Sequence, residues 1–193
     1  MRDLEIELYA YEHKIPIMNK EGIDYLTNYI REHNIKTILE IGTAIGYSAI
    51  KMALISSDIM ITSIERDRDR YNLAANNIKK YKLSKQIELI YGDALDINVT
   101  GEYDLIFIDA AKSKYIEFFE RYKKNLAPNG VIVSDNLSFH GMVLDPNMTK
   151  SRNTKQLIIK IKKYIDFLKT NEEFDTMFYD VGDGVSVSIK RES

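Results

Sequence analysis

Two apolar segments of strand length end in oxygen-bearing side chains that could hold a hard metal ion. The run YDLIFID ends at Asp109, and the run GVIVSDN ends at Asp135 and Asn136. Two carboxylates and one amide carbonyl suit octahedral Mg²⁺ or Mn²⁺, with water or substrate oxygens in the remaining positions. The alternatives are that Asp109 caps the next helix and that Asp135 and Asn136 form a turn.

A lysine lies three residues after the first of these aspartates, so its ammonium group can return to the same pocket. Lys112 could take a proton from a substrate hydroxyl, and a divalent cation would favour the ionised hydroxyl. A solvated lysine in a first helical turn is the alternative.

The three histidines show no ligand spacing. His13 and His33 are expected at the surface or in the core, and His140 could reach the pocket.

Three further acidic residues lie where successive strand candidates end. Glu40 precedes the glycine loop GTAIG, Glu65 ends the run ITSIE, and Asp93 lies in YGDAL. The G-x-x-x-G spacing differs from the G-x-G-x-x-G of dinucleotide sites, and Glu40 would repel a diphosphate. Glu65 could bind both ribose hydroxyls, and Asp93 could accept a hydrogen bond from an adenine amino group. These acids predict a cationic nucleoside ligand without phosphates. The alternative for the glycine loop is a tight strand-to-helix turn, and the alternative for Glu65 is an acid that flanks the next helix.

These residues can meet only if a parallel sheet brings the strand ends to one edge. Apolar runs alternate with segments of helical period, which predicts an α/β fold with helices on both faces of the sheet. The runs FDTMFYD and VSVSIK, joined through VGDG, predict a terminal antiparallel hairpin and a total of seven strands. The other predicted strands are 37–41, 59–65, 87–91, 103–108 and 131–134. The predicted helices are 46–56, 67–81, 113–126 and 154–168, with an earlier one marked by Ile23, Leu26 and Ile30.

Composition narrows the class of protein further. With 193 residues, 45% of them hydrophobic, the chain is expected to form a single domain over residues 1–193. The formal net charge of −2 gives no overall basic signature for nucleic acid, so any polyanion must meet a local patch. The absence of cysteine excludes disulfides, thiolate metal sites and thiol nucleophiles. No stretch reaches the roughly 18 apolar residues of a membrane span, so we expect a soluble, cytoplasmic protein.

The chain resembles the cation-dependent O-methyltransferases, a family that includes the catechol and caffeoyl-CoA O-methyltransferases. The resemblance covers nearly the whole chain and is carried by PIMNKEGIDYL, ILEIGTAIGYSAIKMA, SIERD, YGDAL, FIDAAKSKY, VIVSDN and GDGVSVSIK. It implies a class I methyltransferase fold, Rossmann-like, with S-adenosylmethionine and Mg²⁺ or Mn²⁺ as cofactors. It implies that S-adenosylmethionine is held by Met18, Glu40, Gly42, Ser48, Glu65, Asp93, Ala94 and Asp109. It also implies that Asp109, Asp135 and Asn136 bind the cation and that Lys112, beside Asp109, is the catalytic base.

The chain departs from the family pattern in two places. Many relatives have D-A-D-K where this chain has DAAK, so Ala111 replaces an acid. The N-terminus is short, and the helical arm that often covers the substrate pocket or forms a dimer contact is expected to be reduced or absent. A homodimer is expected only from the family.

Within the family, the segments KIPIM, EIGTAIGYSAI and SRNTK most resemble the bacterial tRNA 5-hydroxyuridine methyltransferases. The 5-hydroxyl and the C4 carbonyl of 5-hydroxyuridine can chelate a metal through two adjacent oxygens, as a catechol does. Basic residues in 150–163, among them Lys150, Arg152 and Lys155, could bind tRNA phosphates. A solvated helix face is the alternative for these residues.

Two other functions stay open. The first is the same chemistry on a small catechol or hydroxycinnamoyl thioester, for which Phe139, Met142 and Leu144 are modest candidates for an apolar lid. The second is a non-catalytic protein that only binds a nucleoside. The presence of Asp109, Lys112, Asp135 and Asn136 favours an enzyme over this second alternative.

Overall fold

A seven-stranded sheet forms the centre of the computed structural model, which describes residues 5–138, 141–143, 145 and 148–191. Its strands are β1 (Thr37–Ile41), β2 (Met60–Glu65), β3 (Ile87–Tyr91), β4 (Tyr103–Ile108), β5 (Leu126–Ser134), β6 (Phe174–Tyr179) and β7 (Val185–Lys190). Their spatial order is β3-β2-β1-β4-β5-β7-β6. Strands β1 to β5 pair in parallel, and β7 runs antiparallel between β5 and β6. The predicted α/β sheet with a terminal antiparallel hairpin is confirmed.

Six α-helices pack on this sheet within the described ranges. They are α1 (Glu5–Glu12), α2 (Lys20–Glu32), α3 (Tyr47–Ala53), α4 (Arg68–Lys80), α5 (Tyr115–Tyr122) and α6 (Arg152–Lys169). Two short 3-10 helices, Lys112–Lys114 and Lys123–Asn125, flank α5. Across those same ranges, no helix combines the length and apolarity that crossing a bilayer requires.

The strands carry apolar side chains on both faces because helices cover both. Ile38 packs in one core cluster with α1, α2 and α3, whereas its neighbour Leu39 packs in a second cluster with α5 and α6. Both side chains are fully buried. Burial of such a side chain contributes about 1.5–3 kcal/mol to the stability of the folded protein. The two layers of helices therefore hold the ends of the strands in fixed positions.

Strand β5 begins five residues before the predicted strand. Residues Pro128, Asn129 and Gly130, types that favour turns, lie within this strand and before the predicted start at position 131. The pairing of β4 with β5 shifts between Tyr103 and Leu105, so the turn-forming residues lie in an irregular part of the strand. The predicted helix 113–126 is correspondingly divided into α5 and its two 3-10 flanks.

The N-terminal arm, expected to be reduced or absent, contains the short helix α1 in the described residues. Ile6 and Ala10 of α1 are buried. Glu7 accepts a hydrogen bond from the Tyr47 hydroxyl at 2.9 Å and pairs with Lys51 Nζ at 3.1 Å. The arm is therefore docked on α3.

Candidate active site

A cavity of about 320 Å³ opens where the parallel strands end at their carboxyl edge. This edge is where open α/β sheets bind their ligands. The predicted site residues on its wall are Met18, Gly42, Glu65, Asp93, Ala94, Asp109, Lys112 and Asn136. The three remaining residues predicted to hold the cofactor or the cation, Glu40, Ser48 and Asp135, are buried and do not line it.

Glu40 lies beneath the glycine loop. The hydroxyls of Ser48 and Ser63 donate hydrogen bonds to its two carboxylate oxygens. Burial raises the pKa of the Glu40 carboxyl to about 7, although the two hydroxyls act in the opposite direction. Glu40 and Ser48 therefore join β1, β2 and α3 below the cavity, and their role in holding the cofactor stays a prediction.

The glycine loop must pass very close to the end of β4. Gly42 has a φ of +100°, and a Cβ built on it would lie 2.3 Å from the carbonyl oxygen of Asp109. Only glycine combines this backbone conformation with so close an approach. The Asp109 backbone therefore requires glycine at position 42, which also lines the cavity.

Glu65 lines the cavity with a fixed carboxylate. One oxygen accepts a hydrogen bond from the Ala44 amide and the other from the Asp67 amide, each at 2.8 Å. Each oxygen keeps a further lone pair, so the carboxylate can still accept two ribose hydroxyls. Asp67, and not Glu65, caps α4. The helix-flanking alternative therefore applies to Asp67.

Asp93 faces the same end of the cavity across from an arginine that the sequence analysis missed. Its Oδ1 accepts a hydrogen bond from the Leu95 amide at 2.9 Å, and its Oδ2 lies 3.6 Å from Arg66 Nη1. Arg66 and Arg70 both line the cavity. The alternating charges of the segment ERDRDR indicated only the start of a helix. The one sequence feature that could have pointed to Arg66 as a cavity residue is its position directly after Glu65.

Asp109 and Asp135 follow paired residues of neighbouring strands and are brought side by side. The Asp109 amide donates to the Ile41 carbonyl at 3.0 Å, and the Asp135 amide donates to the Ile108 carbonyl at 3.2 Å. Burial, followed by the nearby charge of Asp109, raises the pKa of the Asp135 carboxyl. Asn136 comes next, with a left-handed φ of +71°.

The donor set fits a hard divalent cation. Oδ1 of Asp135 is buried and has no hydrogen-bond partner among the described residues, although a buried polar atom normally has one. No group of three His, Cys, Asp or Glu side chains suited to a metal occurs in the part of the chain that the structure describes. A cation here would therefore use the amide oxygen of Asn136 together with Asp109 and Asp135.

Lys112 returns to the pocket as its spacing predicted. Its Nζ lies 3.0 Å from Asp109 Oδ1 and 5.6 Å from the centroid of the Tyr115 ring. The Lys112 side chain is 14% exposed. The solvated-lysine alternative does not describe this position, and Asp109 contacts Lys112 and does not cap the helix.

The sequence model of the O-methyltransferase family matches residues 2–191 of this chain. The protein belongs to the O-methyltransferase family. This membership confirms the resemblance to O-methyltransferases that the sequence motifs indicated, and with it the predicted class of enzyme.

Individual relatives of this O-methyltransferase agree with the family match. A caffeoyl-CoA O-methyltransferase from Stellaria longipes is 31% identical over 78% of this chain and 66% of its own length. A catechol O-methyltransferase from Niastella koreensis is 37% identical over 60% of this chain and 55% of its own length. The crystal structure of a candidate caffeoyl-CoA O-methyltransferase from Staphylococcus aureus superposes with a TM-score of 0.92. It is 38% identical and covers 97% of this chain and 91% of its own.

The residues predicted to bind phosphates lie just before α6 and in its first turn. Lys150, Arg152 and Lys155 are exposed. Helix α6 begins here, on the carboxyl-edge side of β5, and packs against the 3-10 helix that carries Lys112. None of these three cations lines the cavity, and Lys162 and Lys163 lie about two to three turns further along α6.

Other predicted residues contribute nothing to the described cavity wall. His13 and His33 are exposed near helix ends, where their ring nitrogens contact the Tyr9 and Tyr29 carbonyls at 2.9 and 3.0 Å. His140, Phe139 and Leu144 lie outside the described residues. Met142 is half-buried and does not line the cavity.

Proposed function

We propose that this O-methyltransferase transfers a methyl group from S-adenosylmethionine to the 5-hydroxyl of 5-hydroxyuridine at the tRNA wobble position, giving 5-methoxyuridine. One observation carries the proposal. A single cavity joins the acidic end formed by Glu65 and Asp93 to the end formed by Asp109, Lys112 and Asn136. The homodimer expected from the resemblance stays a prediction.

The acidic end of the cavity supports S-adenosylmethionine as the methyl donor. Backbone amides fix the Glu65 carboxylate for ribose hydroxyls, and Asp93 offers an acceptor for the adenine amino group. S-adenosylmethionine supplies an activated methyl group and carries positive charge at its sulfonium and ammonium groups. The wall carries Arg66, Arg70 and Lys112 as well as Glu65, Asp93 and Asp109, so the hydrogen-bond acceptors of Glu65 and Asp93, and not a net charge, support this ligand.

The residues at the other end support a divalent cation and proton removal. When bound, Mg²⁺ or Mn²⁺ supplies Lewis-acid stabilisation of an ionised hydroxyl. Asp109, Asp135 and Asn136 would hold it. Lys112 would take the proton of the substrate hydroxyl, and in the structure its Nζ donates a hydrogen bond to Asp109 Oδ1 at 3.0 Å, which orients it. The substrate oxygen then forms the new O–C bond as the C–S bond breaks, so the chain mainly provides alignment.

Positive charge where α6 begins supports a polyanionic substrate. Lys150, Arg152 and Lys155 are exposed where α6 begins. Ala111 lines the cavity, so the replacement of an acid there removes one negative charge from its wall. Cations around a site bind phosphates without reading base sequence, which leaves recognition to the base in the pocket.

A small phenol is the second candidate substrate. The names of the Stellaria longipes and Niastella koreensis relatives indicate caffeoyl-CoA and catechol as substrate classes. A catechol presents two adjacent oxygens in the same way as 5-hydroxyuridine. The same catalytic residues would therefore serve either substrate.

The test is methyl transfer from labelled S-adenosylmethionine to three acceptors: tRNA that carries 5-hydroxyuridine, the same tRNA with unmodified uridine, and a catechol. We expect transfer to the hydroxylated tRNA, loss of transfer with chelator and recovery with Mg²⁺ or Mn²⁺. Asp135→Ala should abolish turnover and largely preserve cofactor binding. Transfer to the catechol alone contradicts the tRNA assignment, and full activity of Asp135→Ala contradicts the metal assignment.

A further inference from the structure

Two tyrosines of α5 reach two different loops of the site. The Tyr115 hydroxyl donates a hydrogen bond to the carbonyl oxygen of Asp135 at 3.1 Å, and the Tyr122 hydroxyl donates to that of Ala94 at 2.5 Å. Both side chains are only 1% exposed. They lie seven residues apart, which is about two helical turns, so they project from the same face of α5.

The first contact fixes the residues expected to hold the cation. The Asp135 amide is already bonded to the Ile108 carbonyl, and the Tyr115 hydroxyl holds the carbonyl on the other side of the residue. The Leu137 amide then donates to the Gly184 carbonyl at 3.0 Å. The backbone is thereby held on both sides of Asn136, and the direction of the Asp135 carboxylate depends on these bonds.

The second contact fixes the loop at the nucleoside end. The Ala94 carbonyl accepts from Tyr122, and the Ile97 carbonyl accepts from Arg121 Nη2 at 2.8 Å. Both donors belong to α5. Asp93, immediately before Ala94, consequently keeps its carboxylate on the cavity wall.

We propose that Tyr115 and Tyr122 are positioning residues with separate roles, in which Tyr115 orients the cation ligands Asp135 and Asn136 and Tyr122 orients the nucleoside loop at Asp93 and Ala94. The identity of the two ligands rests on the proposed function. Removal of either hydroxyl leaves a buried carbonyl without its donor, and the loop that carries it relaxes. Groups that orient ligating residues in this way typically change metal affinity 10–100-fold when removed.

The experiment compares Tyr115→Phe with Tyr122→Phe, because phenylalanine keeps the ring and removes one oxygen. The ring of residue 115 also remains beneath Lys112. Mn²⁺ affinity is measured by electron paramagnetic resonance without cofactor, and S-adenosylmethionine affinity by calorimetry with chelator. We expect Tyr115→Phe to weaken Mn²⁺ binding about tenfold or more and to leave cofactor affinity within about twofold. Tyr122→Phe should show the reverse pattern.

Tyr103→Phe is the matched control. The Tyr103 hydroxyl is bonded to Thr62 Oγ1 at 3.2 Å, and Tyr103 begins β4 at the opposite edge of the sheet. This variant should keep both affinities. Hydrogen–deuterium exchange supplies a second measurement, with faster exchange expected in 135–138 for Tyr115→Phe and in 93–97 for Tyr122→Phe.

The outcomes separate this inference from the proposed function. Wild-type protein that binds neither Mn²⁺ nor S-adenosylmethionine overturns the proposed function and this inference with it. Wild-type binding that Tyr115→Phe and Tyr122→Phe leave unchanged overturns only the inference. A variant that loses both affinities together, with or without loss of cooperative unfolding, shows a general structural role and also overturns the separate assignments.

Discussion

At the scale of single residues, the chemistry of this site depends on which carboxylates are covered and which face the cavity. Glu40 and Glu65 both end strands, and the sequence assigned both to the cofactor. Ser63 pairs with Glu40 in the register of β1 and β2, and its hydroxyl covers one Glu40 oxygen. That register brings together residues 23 positions apart, and it was not available from the local pattern around Glu40.

The buried Glu40 predicts a pH dependence of stability. Its pKa rises from 4.5 to about 7, so between these values the folded protein holds a proton that the unfolded chain releases. Stability from this residue is therefore present below about pH 4.5 and is lost as the pH rises through about 7. The shift corresponds to roughly 3 kcal/mol.

Glu40→Gln keeps the shape of the side chain and removes the titration. We expect its unfolding free energy to fall less between pH 5 and pH 8 than that of wild type, by at most about 3 kcal/mol. Urea unfolding at the two pH values measures the difference. Glu12→Gln, at an exposed position, is the control and should follow wild type. The same pH slope in Glu40→Gln and wild type would contradict the assigned burial cost.

At the scale of elements, the ends of the strands determine which site residues could be predicted. Strands β1, β3 and β4 begin and end where the apolar runs predicted, because helices cover both faces and leave few polar interruptions. This placed Asp93, Asp109 and Asp135 at one edge. Tyr115 and Tyr122 were missed because an apolar helix face indicates packing and does not reveal which backbone carbonyl a buried hydroxyl reaches.

The close approach of the loop after β1 to the loop after β4 predicts the effect of a single methyl group. A Cβ at Gly42 would meet the Asp109 carbonyl oxygen at 2.3 Å, whereas a Cβ at Gly101 would have nothing within 4 Å. Their φ values are +100° and +101°, so an alanine would have to adopt an unfavourable positive φ at both positions. The comparison therefore isolates the clash.

We expect Gly42→Ala to lower the unfolding free energy by about 2–4 kcal/mol and Gly101→Ala by about 1 kcal/mol. Urea unfolding of both variants measures the two costs. Displacement of the Asp109 backbone in Gly42→Ala should also weaken Mn²⁺ binding, which Gly101→Ala should leave unchanged. Equal losses of stability in the two variants would show that the loops have room to separate.

At the scale of the whole molecule, a net charge of −2 gives no general attraction to nucleic acid. Any tRNA must therefore meet cations in the right place relative to the cavity. Topology supplies that place, because α6 begins at the carboxyl edge of the sheet and α4 ends at the opposite edge. Sequence alone identified the cluster around Arg152 and Lys155, but it did not fix which end of α6 lies beside Lys112.

This placement predicts that cations at the two edges differ in their effect on tRNA. The double variant Arg152→Ala/Lys155→Ala removes charge in the first turn of α6, and Lys79→Ala/Lys85→Ala removes the same charge at the opposite edge of the sheet, all four from exposed positions. We expect the first to raise the KM for hydroxylated tRNA about tenfold or more and to reduce the slope of log affinity against log salt by about 2. The control variant should match wild type in both measurements.

Turnover of a small catechol should stay unchanged in both variants, because neither pair lines the cavity. Equal losses of tRNA affinity from the two edges would indicate non-specific attraction and contradict a tRNA-binding surface at the start of α6.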